Sequence, residues 1–179
     1  ILFNVTSIIS GTVFSSTDYQ LWGALPVILF FFIGLIGGCA GSTACSIKIF
    51  RYQLLFSAIR VQIKSIHAPH GMFQPRYDGR RVDEDVLSSV MSFFVYFVVA
   101  LGVVSVLLGA TGLDATTALS GAATTLGNIG PGLGDKIGPS GNFAGLNDIA
   151  KWILSMAMFV GRLELLVVFA IFTVQFWRA

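Results

Sequence analysis

The stretch TTLGNIGPGLG, Thr124 to Gly134, is rich in glycine and carries no charge, yet it lies between two long apolar runs. Beyond three small polar side chains, the groups it can offer a ligand are its own backbone carbonyls. Carbonyls suit one task well. A monovalent cation leaving water needs replacement oxygens, and neutral dipoles bind it weakly enough to let it go again. Carboxylates would hold such an ion by charge and discriminate little. Aiming successive carbonyls the same way demands unusual backbone angles, some with positive φ, which glycine adopts without steric cost. The competing reading, a phosphate-binding G-x-G-x-x-G turn, needs a preceding strand and a βαβ unit, and the flanking pattern offers neither. No nucleophile stands near a base in the sequence, so an enzyme is not expected. His67 and His70 flank Pro69 in a polar loop without further ligands nearby, so no metal site is expected there.

The elements that must position this backbone are set by hydropathy. The chain is 55% hydrophobic and 11% charged, with a mean hydropathy of +0.82. Soluble domains carry about a quarter charged residues, so this is a membrane protein. Spanning a bilayer takes roughly 20 apolar residues. Tyr19 to Ile47 and Val86 to Gly112 contain no charge, and Trp152 to Trp177 contains only Arg162 and Glu164. Cys39 and Cys45 sit near the end of an apolar run and read as buried thiols rather than a disulfide. The opening ILFNVTSIIS has neither Met nor a basic start, and the chain is read as an internal piece of a longer polypeptide.

Charge asymmetry gives orientation. Lys48, Arg51, Arg60, Lys64, Arg76, Arg80 and Arg81 all lie between the first two spans, and Arg178 follows the third. The opposite face carries Asp18, Asp114, Asp135 and Asp148 against Lys136 and Lys151. The positive-inside rule places the Lys48–Arg81 connection and the C-terminus in the cytoplasm and the glycine stretch outside. The basic residues form no soluble patch, so nucleic acid is not an expected partner; membrane lipid is.

Along the chain, Phe3 to Ser10 reads as a short helix and GTVFSSTDYQ as irregular chain. A span starts near Leu21 and runs into GLIGGCAGSTACS, Gly34 to Ser46, whose glycines and small residues will not hold a rigid helix. A basic amphipathic helix follows to Ile66. QPRYDGRRV reads as a small hairpin around Asp78-Gly79. A second span runs from about Val86 to Ala110, preceded by Asp83-Glu84-Asp85 near a favourable helix start. LDATTALSGAATTL reads as a half-helix with Asp114 near its N-terminus, and the last span starts near Asn147. One pattern thus occurs twice, as SIISGTVFSS and as GAATTLGNIG: short helix, small-residue turn, long helix back. The fold class expected is an all-α membrane protein built from repeated units of transmembrane helix, re-entrant pore helix, filter and transmembrane helix, of potassium-channel type.

TTLGNIGPGLG with FVGRLELL on the following helix, and SGTVFSSTDY with GGCAGSTA upstream, resemble the TrkH family of bacterial potassium-uptake subunits in the Trk/Ktr/HKT superfamily. The resemblance covers essentially the whole chain, with several motifs in order at matching spacing. It implies that 1–66 is a partial third pore repeat, 67–85 a cytoplasmic connection and 86–179 the fourth repeat. It implies filter strands at Gly11-Thr12-Val13-Phe14 and at Thr125-Leu126-Gly127-Asn128, with potassium as the transported ion and no organic cofactor. Val13 departs from the family pattern, which has glycine there; a β-branched side chain at positive φ is costly, which puts selectivity or gating in doubt. The resemblance also implies an intramembrane loop that gates the pore at Gly37, Gly38, Cys39, Ala40, Gly41, Ser42 and Thr43, and an arginine, Arg162, projecting under the filter. It implies a homodimer in the bacterial inner membrane and a cytoplasmic ring of TrkA-like nucleotide-binding regulatory subunits.

Read without the resemblance, the run from Gly37 to Gly41 fits close helix packing equally well. Arg162 can pair with an acid on a neighbouring helix; Glu164, two positions on, lies on another face. Three functions stay open: a gated channel-like potassium translocator, a gradient-coupled secondary cation transporter, and a non-conducting membrane anchor for a cytoplasmic partner.

Overall fold

The computed structural model describes residues 1–12, 14–38, 46–68, 71 and 73–162. Val13, Cys39 to Cys45, His70, Glu164 and the rest of the chain after Arg162 lie outside the described residues. The elements in order are α1 (Leu2–Ser10), a 3-10 turn (Tyr19–Trp22), α2 (Ala24–Leu35), α3 (Ile49–His67), β1 (Arg76–Tyr77), β2 (Arg80–Arg81), α4 (Glu84–Ala110), α5 (Ala115–Gly127), a 3-10 turn (Phe143–Gly145) and α6 (Asp148–Arg162). The all-α class read from the sequence holds.

α4 is 27 residues, roughly 40 Å long at 1.5 Å per residue. Among the described residues it is the one helix long and apolar enough to cross a membrane. Glu84 and Asp85 in its first turn complement the helix dipole. Val95, Val98, Val103 and Val106 on its outer side are exposed, which suits a lipid-facing or protein-facing surface.

The stretch from Leu21 does not form one spanning helix. Gly23, at φ 109 and ψ 176, separates α2 from the preceding 3-10 turn, whose second amide is capped by Asp18 accepting from the Gln20 N–H at 2.9 Å. α2 therefore starts at Ala24 and runs only 12 residues, about 18 Å. It stops at Leu35, within the small-residue run that sequence reasoning expected to break it. The basic helix begins afresh at Ile49. The Asp78-Gly79 hairpin forms as expected, with Arg76 opposite Arg81 and Tyr77 opposite Arg80; both turn residues have positive φ.

The centre of the molecule is α5, packed between α4 and α6. From Thr117 to Gly127 it is buried except at Leu119. Its small residues explain this, since alanine, glycine, serine and threonine let neighbouring backbones approach closely inside a membrane. Ala118 and Ala122 meet Leu108 of α4, Ala150 and Leu154 of α6, and Ile137 of the following loop. A Cβ on Gly161 would run into the Leu126 carbonyl, so α6 lies directly on the backbone of α5.

Candidate functional site

Two short helices end in the same way. α1 closes at Gly11, with φ 68 and ψ 24. The Gly11 N–H donates to the Ile8 carbonyl at 3.3 Å and the Thr12 N–H to the Ser7 carbonyl at 3.1 Å. α5 closes at Asn128, with φ 50 and ψ 44. The Asn128 N–H donates to Thr125 at 3.1 Å and the Ile129 N–H to Thr124 at 2.9 Å. Both are left-handed caps with the paired back-bonds that satisfy the last helical carbonyls. Asparagine tolerates the left-handed region better than most residues, which is why glycine is not needed at position 128. The two caps meet: a Cβ on Gly11 would lie 3.5 Å from the Asn128 carbonyl oxygen.

The backbone here differs from the strand expected at the second turn. Thr125, Leu126 and Gly127 were expected in an extended strand ending at Asn128. They form the last turn of α5, and Asn128 is its cap. The Leu126 carbonyl lies against Gly161, and that of Gly127 accepts from the Ser46 hydroxyl at 3.0 Å. Counted along the sequence from Gly11 and from Asn128, position 12 corresponds to Ile129, position 13 to Gly130 and position 14 to Pro131. Gly130 has φ 113, a conformation that glycine takes readily and other residues avoid.

Buried polar side chains hold the chain that leaves each cap. In the second copy Thr124 Oγ1 accepts from the Gly130 N–H at 3.0 Å. Ser120 Oγ accepts from the Leu133 N–H at 3.0 Å and donates to the Leu133 carbonyl at 3.1 Å. In the first copy Asn4, 1% exposed, accepts from the Ser16 N–H at 3.0 Å and donates to the Thr17 carbonyl at 3.3 Å. Sequence reasoning missed Asn4 and Ser120. The available signal was a polar residue on each short helix, one helical turn or two before its small-residue turn. At the other end of α5, the Asp114 carboxylate accepts from the Thr117 N–H at 3.0 Å. Hydrogen bonding to Thr117, more than any other influence, holds its pKa below the usual aspartate value.

The break after α2 is a closed neck. The Ile47 N–H donates to Leu35 at 3.2 Å, the Gly37 N–H to Ile47 at 2.9 Å, and the Ile49 N–H to Gly38 at 3.3 Å. Tyr52 Oη adds a bond to the Leu35 carbonyl at 3.3 Å. Ser46, at φ 62, places its hydroxyl 2.9 Å from the Gly34 carbonyl and 3.0 Å from that of Gly127. One hydroxyl has one proton, so it serves the two carbonyls alternately. A Cβ on Gly127 would come within 2.7 Å of Ser46 Oγ; Gly127 is thus a contact point for the neck. Of the expected gate residues, Gly37 and Gly38 form one side of this neck, and Cys39, Ala40, Gly41, Ser42 and Thr43 lie outside the described residues. Arg162 ends the described part of α6 and is exposed. Arg51, at the start of α3, is buried, with its guanidinium 3.7 Å from the Phe93 ring centroid; it fastens α3 to α4, a role its charge alone did not reveal.

The family model described as "TrkH: Cation transport protein" matches residues 1–177. The chain belongs to the TrkH family. It is 43% identical over 178 residues to the Trk system potassium uptake protein TrkI of Halomonas elongata, covering 99% of this chain and 36% of that protein. It is 34% identical over 176 residues to the Trk system potassium uptake protein TrkH of Escherichia coli K12, covering 98% of this chain and 36% of that protein. The crystal structure of the potassium transporter TrkH from Vibrio parahaemolyticus superposes with a TM-score of 0.90 at 34% identity, covering 98% of this chain and 37% of that one. The chain thus spans a little over a third of the length of these TrkH-family relatives, and its fold is that of a membrane cation transport protein.

Proposed function

We propose that this chain forms part of a potassium-uptake pore in the bacterial inner membrane, gated and channel-like, with a filter of backbone carbonyls. The observation that carries the reading is the meeting of the two caps at Gly11 and Asn128. Two helix C-termini aim their negative dipole ends at one place, which favours a cation there. The backbone that leaves them supplies neutral oxygens without a carboxylate. In this reading the ion is lined by Gly11, Thr12, Val13 and Phe14 on one side and by Asn128, Ile129, Gly130 and Pro131 on the other. Thr125, Leu126 and Gly127 support the filter from behind. The names of the relatives point to potassium as the ion.

The gate in this reading is the segment Gly37 to Thr43, carried on the neck of Leu35–Gly38 and Ser46–Ile49, with Arg162 beneath the filter as a fixed positive charge. Charge distribution supports a cytoplasmic connection and an external filter. A homodimer and a cytoplasmic nucleotide-binding ring of TrkA type complete the proposal; the basic α3 and its hairpin are the parts of this chain on the side such a ring would approach. A gradient-coupled transporter would favour substrate-binding side chains near the midplane, and among the described residues the two turns at the caps carry none that is charged. The anchor reading leaves the cap geometry without a use.

Uptake of radioactive rubidium and sodium into liposomes holding the full-length protein tests this, with and without Val13→Gly. A change in rate or in the rubidium-to-sodium ratio is expected, because position 13 matches Gly130 at positive φ. Identical uptake in both forms would remove Val13 from the ion path, and no uptake in either would favour the anchor. Dependence on a proton or sodium gradient would favour the coupled transporter.

A further inference from the structure

Among the described residues, and apart from the Ser46–Gly127 bond of the neck, three sets of side-chain bonds tie the two copies together. Ser15 Oγ donates to the Pro139 carbonyl at 3.0 Å, and Ser140 Oγ donates to Asp18 Oδ2 at 3.1 Å. The Gln20 carboxamide makes the third and differs in kind. Its Oε1 accepts from the Gly134 N–H at 2.8 Å, and its Nε2 donates to the Gly134 carbonyl at 3.4 Å. Ser15 and Ser140 are exposed, whereas Gln20 is half-buried, where a lost partner costs more than it does in water.

The surroundings are shaped for this contact. Gly134 sits at φ 97, and a Cβ on Gly138 would run into Gln20 Nε2. The carboxamide fits because position 138 has no side chain. Holding one residue by both its N–H and its C=O fixes the two peptide groups on either side of it. The other clamps on this return segment, Thr124 on Gly130 and Ser120 on Leu133, come from α5, the helix that launches it. Among the described residues, Gln20 is the side chain of the first copy that holds the backbone of this segment in the second before the external turn.

We propose that Gln20 is a positioning residue for ion discrimination, setting the offset between the two carbonyl-bearing turns. Clamps from α5 move with α5; a clamp from the other copy keeps the two turns at a fixed separation, and the separation of the carbonyls is what an ion reads. The inference rests on the pore reading above.

The test compares the rubidium-to-sodium uptake ratio of liposomes holding the full-length protein, its Q20A and Q20E variants, and S140A, with size-exclusion elution of each. Q20A loses both bonds, and its ratio is expected to fall about fivefold or more, the equivalent of at least one net hydrogen bond. Q20E keeps the size and the acceptor, loses the donor and sets an oxygen against the Gly134 carbonyl; its ratio is expected to fall as well. S140A, whose bond is exposed, is expected to match the wild type. Ratios for Q20A and Q20E within about twofold of wild type, less than one net bond, would overturn the proposal. If Q20A elutes abnormally, Q20E decides by the same measure; if both do, Gln20 serves folding and the proposal fails. A wild-type protein without any rubidium preference would instead sink the pore reading itself.

Discussion

At the scale of single residues, three positions concentrate the constraints. Gly130 occupies φ 113, so Gly130→Ala is expected to cost about 1–3 kcal/mol of strain and to disturb the chain held by Thr124. A thermal melt of the full-length protein in detergent checks it, and an unchanged midpoint would mean that the turn relaxes freely. Gly161 lies against the Leu126 carbonyl, which is backbone and cannot rotate away. Gly161→Ala is therefore expected to destabilise by about 1–3 kcal/mol through overpacking, visible in the same melt. Asp114 caps α5, and its pKa is lowered by Thr117. A carboxylate with a depressed folded-state pKa stabilises above its unfolded value, and that stability is lost as pH falls through the folded one. Asp114→Ala is expected to cost about 1 kcal/mol at neutral pH and to match the wild type at a pH below the normal aspartate range. An equal deficit at both pH values would show that the cap does not act through charge.

The element scale is decided by the break between α2 and α3. Neither helix is anchored to the other by a continuous backbone spiral. They are joined by the three backbone bonds of the neck, and the neck is fastened to the end of α5 by Ser46 and Gly127. A gate carried on this neck would have to loosen that fastening as it moves. Ser46→Ala removes a hydrogen bond of about 1 kcal/mol, and basal rubidium uptake by the full-length protein is expected to rise severalfold with the ion preference unchanged. Unaltered uptake would separate the neck from gating. α5 makes the complementary point: its small side chains leave it almost fully buried between α4 and α6, so it behaves as a rigid platform for the cap at Asn128.

On the scale of the whole molecule, large apolar faces are open. Leu25, Ile28, Leu29 and Phe32 of α2, Phe56, Ile59, Ile63 and Ile66 of α3, and the outer valines of α4 are all exposed. A chain that spans a little over a third of its relatives' length leaves such faces for lipid or for further protein. Two capped turns also cannot surround an ion. Liposomes holding residues 1–179 alone are expected to take up no rubidium above background; selective uptake by them would show that the two copies suffice for a pore.

Much of this was legible in the amino-acid order. Hydropathy determined the membrane class, because an unpaired charge in hydrocarbon is too costly to be common. The glycines of Gly34 to Ser46 announced a broken helix, Asp78-Gly79 a turn, and the two small-residue turns two alike helix ends, because these are local conformational preferences. The tertiary structure alone decided the register of the second turn. Whether α5 stops at Leu126 or runs through Gly127 depends on what meets its last carbonyls, and the Ser46 hydroxyl that bonds Gly127 and the Gly161 backbone that packs on Leu126 lie far away in the chain. The same holds for Asn4, Ser120 and Gln20: a polar side chain in an apolar sequence marks a bond to be made, but only the packing of distant segments names the peptide that it holds.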